Sequence, residues 1–231
     1  MPWPSPEHKE RWMTRDFITA YAPLLQGTIL DVGGGTQKYR KIITSSPHVQ
    51  DYKVLDMTDV QGVDFIGDVH HMPLADQSFD GANCNQVLEH THHPEQVMSE
   101  IARICRPGGI LLFTVPFIIG AHPCPHDYFR FTVEGVEAIA SAYFDPVHII
   151  TYGGLDQILI SSDIFSDTGE YSYASYMKQQ EKKSASIPTR IRRRIRRKIF
   201  SLFGTHVHIP SIYSNIGCVL RRNNQPISKL V

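Results

Sequence analysis

The chain predicts an α/β, doubly wound, Rossmann-like fold: a seven-stranded sheet, mostly parallel with an antiparallel last strand, and helices on both faces. Three observations predict it. An apolar run over 28–32 passes through Asp31 into Gly33-Gly34-Gly35. Two further short apolar runs close on acids, Asp56 and Asp68. Strand-like runs bounded by turn residues alternate with amphipathic helical stretches, which calls for a parallel sheet joined by right-handed crossovers.

The chain is long enough for this. Its 231 residues, 42% of them hydrophobic, suit one α/β domain with a modest addition. The 23 basic and 23 acidic side chains cancel, which argues against a whole-surface nucleic-acid binder and gives local charge more weight than net charge. No apolar run approaches the roughly 20 residues of a bilayer span. The first ten residues lack the apolar centre of a secretion signal, so the expected compartment is the cytoplasm. Cys84, Cys105, Cys124 and Cys218 show no paired spacing and are expected as reduced thiols, most of them small buried side chains.

In order, Ser5-Pro6-Glu7 reads as a helix start leading into Trp12, Phe17, Tyr21 and Leu24. This helix is placed to cover a ligand. The first strand, 28–32, ends in glycines that turn sharply and admit a ligand against bare backbone. A short helix over about 39–45 precedes the second strand, 52–55, which closes on Asp56, 21 residues beyond Gly35. That is the spacing at which an acid accepts hydrogen bonds from ribose hydroxyls in a βαβ nucleotide site. On this spacing dinucleotide and adenosyl ligands are tied. The third strand spans 63–68, and a loop over 72–80 leads to the apolar 81–84. Asn85-Gln86-Val87-Leu88-Glu89-His90 then stands at a strand's carboxyl end, where open α/β sheets hold ligands. Glu89 and His90 either point into the site or begin the next helix. A helix over 94–104 stops at Arg106-Pro107-Gly108-Gly109 before the fifth strand, 110–115.

At this point the chain resembles the class I S-adenosylmethionine-dependent methyltransferases, and within them the methyltransferase type 11 group. The resemblance is carried by Leu30-Asp31-Val32-Gly33-Gly34-Gly35, Leu55-Asp56, Gly67-Asp68-Val69, the stretch from Met72-Pro73-Leu74 through Ser78-Phe79-Asp80, Val87-Leu88-Glu89-His90, and Arg103-Ile104-Cys105-Arg106-Pro107-Gly108-Gly109. These occur in family order over roughly 26–160. The family's third spaced glycine falls at Gln37, while a dinucleotide G-x-G-x-x-G would need glycine where Lys38 stands. The resemblance implies S-adenosyl-L-methionine as cofactor. Asp31 and the backbone of Gly33, Gly34 and Gly35 would hold its methionine end and Asp56 its ribose. Asp68 would face the adenine amino group, with Met57 and Val69 packing the ring, and Asn85, Gln86 and Val87 would lie beside the sulfonium. The organisation expected is a helical cover (1–27), a cofactor-binding core (28–153), an insertion (154–210), and the last strand with its tail (211–231).

The implied chemistry is direct displacement at a methyl carbon, for which the protein supplies alignment and a dry site, plus a base if the acceptor is a hydroxyl. The candidate base is His126, in a His- and Pro-rich loop after the fifth strand that ends in Asp127-Tyr128-Phe129-Arg130-Phe131-Thr132. A histidine can take a proton from a hydroxyl near neutral pH, and Asp127 or Tyr128 would help to place it. The competing reading pairs Asp127 with Arg130 and makes Thr132 a helix cap with Glu134 in the first turn. His122, Cys124 and His126 alternate as metal ligands would on an extended segment, but no fourth ligand accompanies them. His70-His71 and His90, His92 and His93 lack the H-E-x-x-H arrangement. No metal is therefore expected.

A sixth strand is expected over 147–152 and the last over 212–221. The insertion of over fifty residues between them carries a helical, apolar 155–165 and then Tyr171, Tyr173 and Tyr176, which line a pocket or cover the sheet edge. Arg190, Arg192, Arg193, Arg194, Arg196, Arg197 and Lys198 follow within nine residues. Ile187, Ile191, Ile195, Ile199, Leu202 and Phe203 form an apolar stripe beneath them. Three readings compete: a helix docked on its own domain, an interfacial helix on anionic lipid, and a phosphate-binding arm for nucleic acid or a nucleotide-sugar. The expected function is methyl transfer to a small-molecule or glycan-type acceptor at oxygen. Nucleic acid is disfavoured, because Asn85-Gln86-Val87-Leu88 is not an Asn/Asp-Pro-Pro-Tyr/Phe box. The rivals are a nicotinamide-dependent sugar-modifying oxidoreductase and a catalytically silent adapter attached through the basic helix.

Overall fold

The computed structural model describes residues 13–119, 126–154 and 213–227. Seven strands are laid down in chain order as β1 (Gly27–Val32), β2 (Val49–Asp56), β3 (Phe65–Ile66), β4 (Phe79–Asn85), β5 (Cys105–Pro116), β6 (Phe144–Tyr152) and β7 (Asn215–Arg222). They assemble in the order β3-β2-β1-β4-β5-β7-β6. Pairing is parallel from β3 to β5, and β7 runs antiparallel to both β5 and β6. The expected seven-stranded mixed sheet is therefore present. No helix among the described residues is long and apolar enough to cross a membrane.

Each face of the sheet carries its own buried cluster, as helices on both faces require. On one face α3 (Pro94–Ile104) and α4 (Val133–Ala140) set Val97, Met98, Ile101 and Val136 against Leu30, Leu111 and Phe113. On the other, α1 (Thr14–Tyr21) and α2 (Arg40–Ile43) set Phe17, Ile18, Tyr21 and Ile43 against Ile29, Val54 and Leu112. Phe17 lies so close to Gly217 on β7 that a Cβ there would come within 2.6 Å of its ring. The start of the first helix at Ser5 lies outside the described residues, where the element begins at Thr14. Thr132 accepts from the Gly135 N–H at 3.0 Å and caps α4, with Glu134 in the first turn.

Three local expectations change. The fifth strand begins at Cys105, not at residue 110, because Arg106 to Gly109 form an irregular extension. Its register jumps between Phe79↔Cys105 and Gly81↔Ile110, and Gly108 absorbs the kink at φ +85°. The third strand is only Phe65–Ile66. Strands and helices do not alternate throughout, since no helix separates β2 from β3 or β3 from β4. There Arg103 of α3 ties down the loop instead, donating to the carbonyls of Leu74 and Met72 at 2.7 and 3.0 Å while paired with Glu100. Cys84, Cys105 and Cys218 are free and buried, and burial pushes the Cys105 thiol up to about 12. Cys124 and the whole basic stretch 187–203 lie outside the described residues.

Candidate active site

Register brings the predicted residues to one edge of the sheet. Val32 is paired with Leu55 on one side and Cys84 on the other, so Gly33, Asp56 and Asn85 leave adjacent carboxyl ends together. Open α/β sheets place their ligands at this edge, where the strand order reverses between β1 and β4.

The glycine turn is shaped by what lies under it. Gly33 takes φ +65°, and a Cβ there would lie 2.7 Å from Val87 Cγ2. A Cβ on Gly34 would lie 2.5 Å from Asp31 Oδ2 and 2.8 Å from Val54 Cγ1. Only hydrogen fits at either position, so the loop presents bare backbone to a ligand. Gly35 donates its N–H to Asp56 Oδ2 at 2.9 Å. Gln37, at the family's third glycine position, holds a left-handed φ of 56°. Its side chain is fixed by Arg40 Nη1 donating at 2.6 Å and by its own Nε2 donating to the Gln61 carbonyl at 2.9 Å. The turn thus keeps the glycine-type backbone without the glycine.

Asp31 does not stand open in the crevice. It is 3% exposed, accepts from the Tyr52 hydroxyl, and accepts from Asn83 Nδ2 at 2.6 Å. Burial lifts its pKa to about 6 against the opposing hydrogen bonds of Tyr52 and Asn83. Asp31 therefore faces the crevice only from beneath Gly34, through its charge and not by direct contact. The contacts continue across the sheet. Asn85 Nδ2 donates to Asn83 Oδ1 at 2.6 Å, Thr114 Oγ1 donates to Asn85 Oδ1 at 3.0 Å, and Gln86 Nε2 donates to Thr114 Oγ1 at 3.2 Å. Gln86 has φ +55° and is pinned by its N–H to the Thr114 carbonyl at 2.9 Å. Sequence reasoning missed Asn83 and Tyr52, which complete this polar floor.

On the far side of the glycines, Asp56 Oδ1 accepts from the Thr58 N–H at 3.0 Å and from the Thr58 hydroxyl at 2.5 Å. Asp68 Oδ1 accepts from the backbone and ring of His70. Met57 is 72% exposed and Ile66, missed in the sequence, 56%. Ile66 is the register partner of Asp56, so two large apolar side chains stand open beside the two acids. Val69 packs against the buried cluster.

The loop expected to hold the base returns against the segment after β4. That segment makes a short 3-10 turn, Leu88–His90, in which Glu89 is fully buried. The Glu89 carbonyl accepts from Tyr128 N at 2.7 Å and Phe129 N at 3.3 Å, and His90 Nδ1 donates to the His126 carbonyl at 2.5 Å. Glu89 and His90 thus begin no α-helix and anchor the loop instead. Asp127 is grasped by Arg130 at 2.5 and 2.6 Å. Tyr128 instead lies beside imidazoles: its hydroxyl is 3.0 Å from His92 Nε2, and its ring is 5.4 Å from the exposed ring of His126. His92, which lacked any motif, is brought in by the turn after β4. His122 and Cys124 lie outside the described residues, and among the described residues no three His, Cys, Asp or Glu side chains are set to hold a metal.

A Rossmann-like sheet with this strand order carries a glycine cradle at the end of β1 and an acid closing each of β2 and the segment after β3, an arrangement suited to a nucleoside cofactor. Residues 30–113 match the family described as "Methyltransferase domain", which together with the fold supports a class I S-adenosylmethionine-dependent methyltransferase. The chain is 29% identical, over 37% of its length and 36% of the other's, to phthiotriol/phenolphthiotriol dimycocerosates methyltransferase 1 of Mycobacterium ulcerans strain Agy99. The matched stretches span 15%, 36% and 23% of the curated relatives they were found in. In fold it is similar to a putative methyltransferase from Bacillus halodurans C-125 (TM-score 0.53, 19% identity, covering 90% of this chain and 99% of that one). It is also similar to phosphoethanolamine N-methyltransferase 2 of Haemonchus contortus in complex with S-adenosyl-L-methionine (TM-score 0.52, 16% identity, 87% of this chain and 49% of that one). S-adenosyl-L-methionine is the cofactor of this class, and the hydrogen-only positions at Gly33 and Gly34 fit its close approach.

Proposed function

We propose that this protein transfers a methyl group to an oxygen of a small-molecule or glycan-type acceptor, with His126 as the base. The observation that carries the reading is the cluster of His92, His126 and Tyr128, packed at the exits of β4 and β5 beside the proposed cofactor edge. When bound, the cofactor supplies a methyl group already activated by a cationic sulfur. Gly33, Gly34 and Gly35 seat its amino-acid end over the field of Asp31, Asp56 meets the ribose, and Asp68 with Met57 and Val69 receives the adenine. Asn85, Gln86 and Val87 form the floor beside the reacting carbon, held by Thr114 of β5.

A hydroxyl acceptor loses its proton as it attacks, and a ring nitrogen of His126 takes it. Asp127 is engaged by Arg130, so Tyr128 and not Asp127 is the side chain that places this imidazole. The aromatic faces of Tyr128 and Phe129, 39% and 37% exposed, suit a sugar or apolar ring. Mass spectrometry of small molecules that co-purify with the protein identifies the acceptor. His126→Ala then lowers kcat on it by roughly 100-fold at pH 7. Unchanged turnover removes the base.

A further inference from the structure

We propose that His70 is a positioning residue for the purine, holding the Asp68 carboxylate in the one orientation that can receive an exocyclic amino group. This rests on the reading that Asp68 meets the adenine edge. The Asp68 side chain is 63% exposed, and an aspartate so open ordinarily turns among rotamers and presents no fixed acceptor. Here two donors from a single residue converge on one oxygen. The His70 backbone N–H lies 2.9 Å from Asp68 Oδ1 and ring Nδ1 lies 2.7 Å from the same atom. A nitrogen that close to a carboxylate oxygen carries the proton, which settles the tautomer. Both bonds hold the Asp68 carboxyl below the usual carboxylate range, the backbone one foremost. Since both fall on Oδ1, Oδ2 is the oxygen left for a ligand N–H.

His70 is in turn held from outside the loop. Its side chain is only 16% exposed, its carbonyl accepts from Gln96 Nε2 of α3 at 3.1 Å, and its ring stands edge-on to His93 at 6.3 Å. Gln96 Nε2 also lies 3.0 Å from His71 Nε2, so one side chain of α3 clamps both histidines. The rigid helix therefore transmits its position through His70 to the carboxylate. The exposed pair Met57 and Ile66 supplies the apolar surface for the base, and the Asp68–His70 pair supplies its polar edge.

Calorimetric titration of the full chain with adenosylhomocysteine and with its analogue bearing hydrogen in place of the 6-amino group reads this directly. The wild-type protein prefers the amino ligand by roughly tenfold. His70→Ala shrinks that preference to within about threefold of unity while binding the analogue about as well as wild type, which also shows that the variant is folded. His70→Asn, whose amide keeps an N–H near the place of Nδ1, restores the preference. Asp68→Ala abolishes it. A His70→Ala protein that keeps the wild-type preference while Asp68→Ala loses it overturns the role of His70. If Asp68→Ala also keeps the preference, the adenine reading of Asp68 fails and the proposal with it.

Discussion

Tyr52 on β2 donates its hydroxyl hydrogen to the buried carboxylate of Asp31 on β1, directly beneath Gly34. Because Asn83 takes the other carboxylate oxygen from β4, the acid of the glycine motif is gripped from both neighbouring strands. It can neither swing into the crevice nor yield to a larger residue above it.

The pH dependence of stability follows from that grip. Burial raises the Asp31 pKa from its ordinary 3.8 to about 6, so the fold favours the protonated acid. This contribution is fully present below about pH 4 and is lost as pH rises to about 6, a cost of ~3 kcal/mol from one buried ionisation. Tyr52→Phe removes a donor that favours the ionised form. Urea unfolding is expected to show a loss of ~1.5–3 kcal/mol at pH 7.5 and a clearly smaller loss at pH 5. Equal losses at the two pH values would show that Asp31 does not titrate there.

On the proposed reading, a ligand ammonium above Gly34 offsets the same cost. Adenosylhomocysteine is therefore expected to raise the Tm more at pH 7 than at pH 5, whereas adenosine, which lacks the ammonium, shows no such growth. Thermal scans at one fixed ligand concentration, the same for both pH values, check this.

Gly34→Ala places a methyl 2.5 Å from Asp31 Oδ2, on a carboxylate that a hydrogen bond to each of its oxygens holds in place. The expected result is a destabilisation of about 1–3 kcal/mol together with loss of measurable cofactor binding. Gly108→Ala is the control, since a Cβ there meets nothing within 4 Å and acts only through its φ of +85°. It should cost stability while leaving cofactor affinity unchanged.

The basic stretch from Ile187 to Phe203 is read from the sequence alone. An apolar stripe under a cationic face predicts flotation with vesicles containing anionic lipid and none with neutral vesicles. Absence from both would remove the lipid reading and leave the docked helix and the phosphate-binding arm.

The site's outline was legible because its chemistry is written into strand ends. An acid after β2, another after β3 and three glycines after β1 read the same whatever the tertiary contacts. Asn83 was not legible, since it sits in a run that otherwise looks apolar. Its burial makes sense only when β4 is laid in register with Asp31. Tyr52 was hidden for the same reason: as a strand residue it reads as core, and its hydroxyl finds its partner only across the β1–β2 pair. Gln37 was read as a departure from a glycine pattern, yet its backbone adopts the conformation glycine would supply, held by Arg40 and Gln61. The early start of β5 was obscured because Arg106 to Gly109 spell a helix stop, and the extended irregularity that follows depends on pairing with β4. The loop to His126 stood out in the sequence by its histidines and prolines, but its anchoring on the Glu89 carbonyl did not, because backbone carbonyls carry no sequence signal.

We infer that the crevice beside β1 takes an amino-acid-bearing thioether nucleoside and not a pyrophosphate. Calorimetric titration of the purified protein with adenosylhomocysteine and, separately, with NAD tests it most directly. Saturable heat with the thioether and none with NAD is the predicted result; saturation by NAD with no heat from adenosylhomocysteine would contradict it.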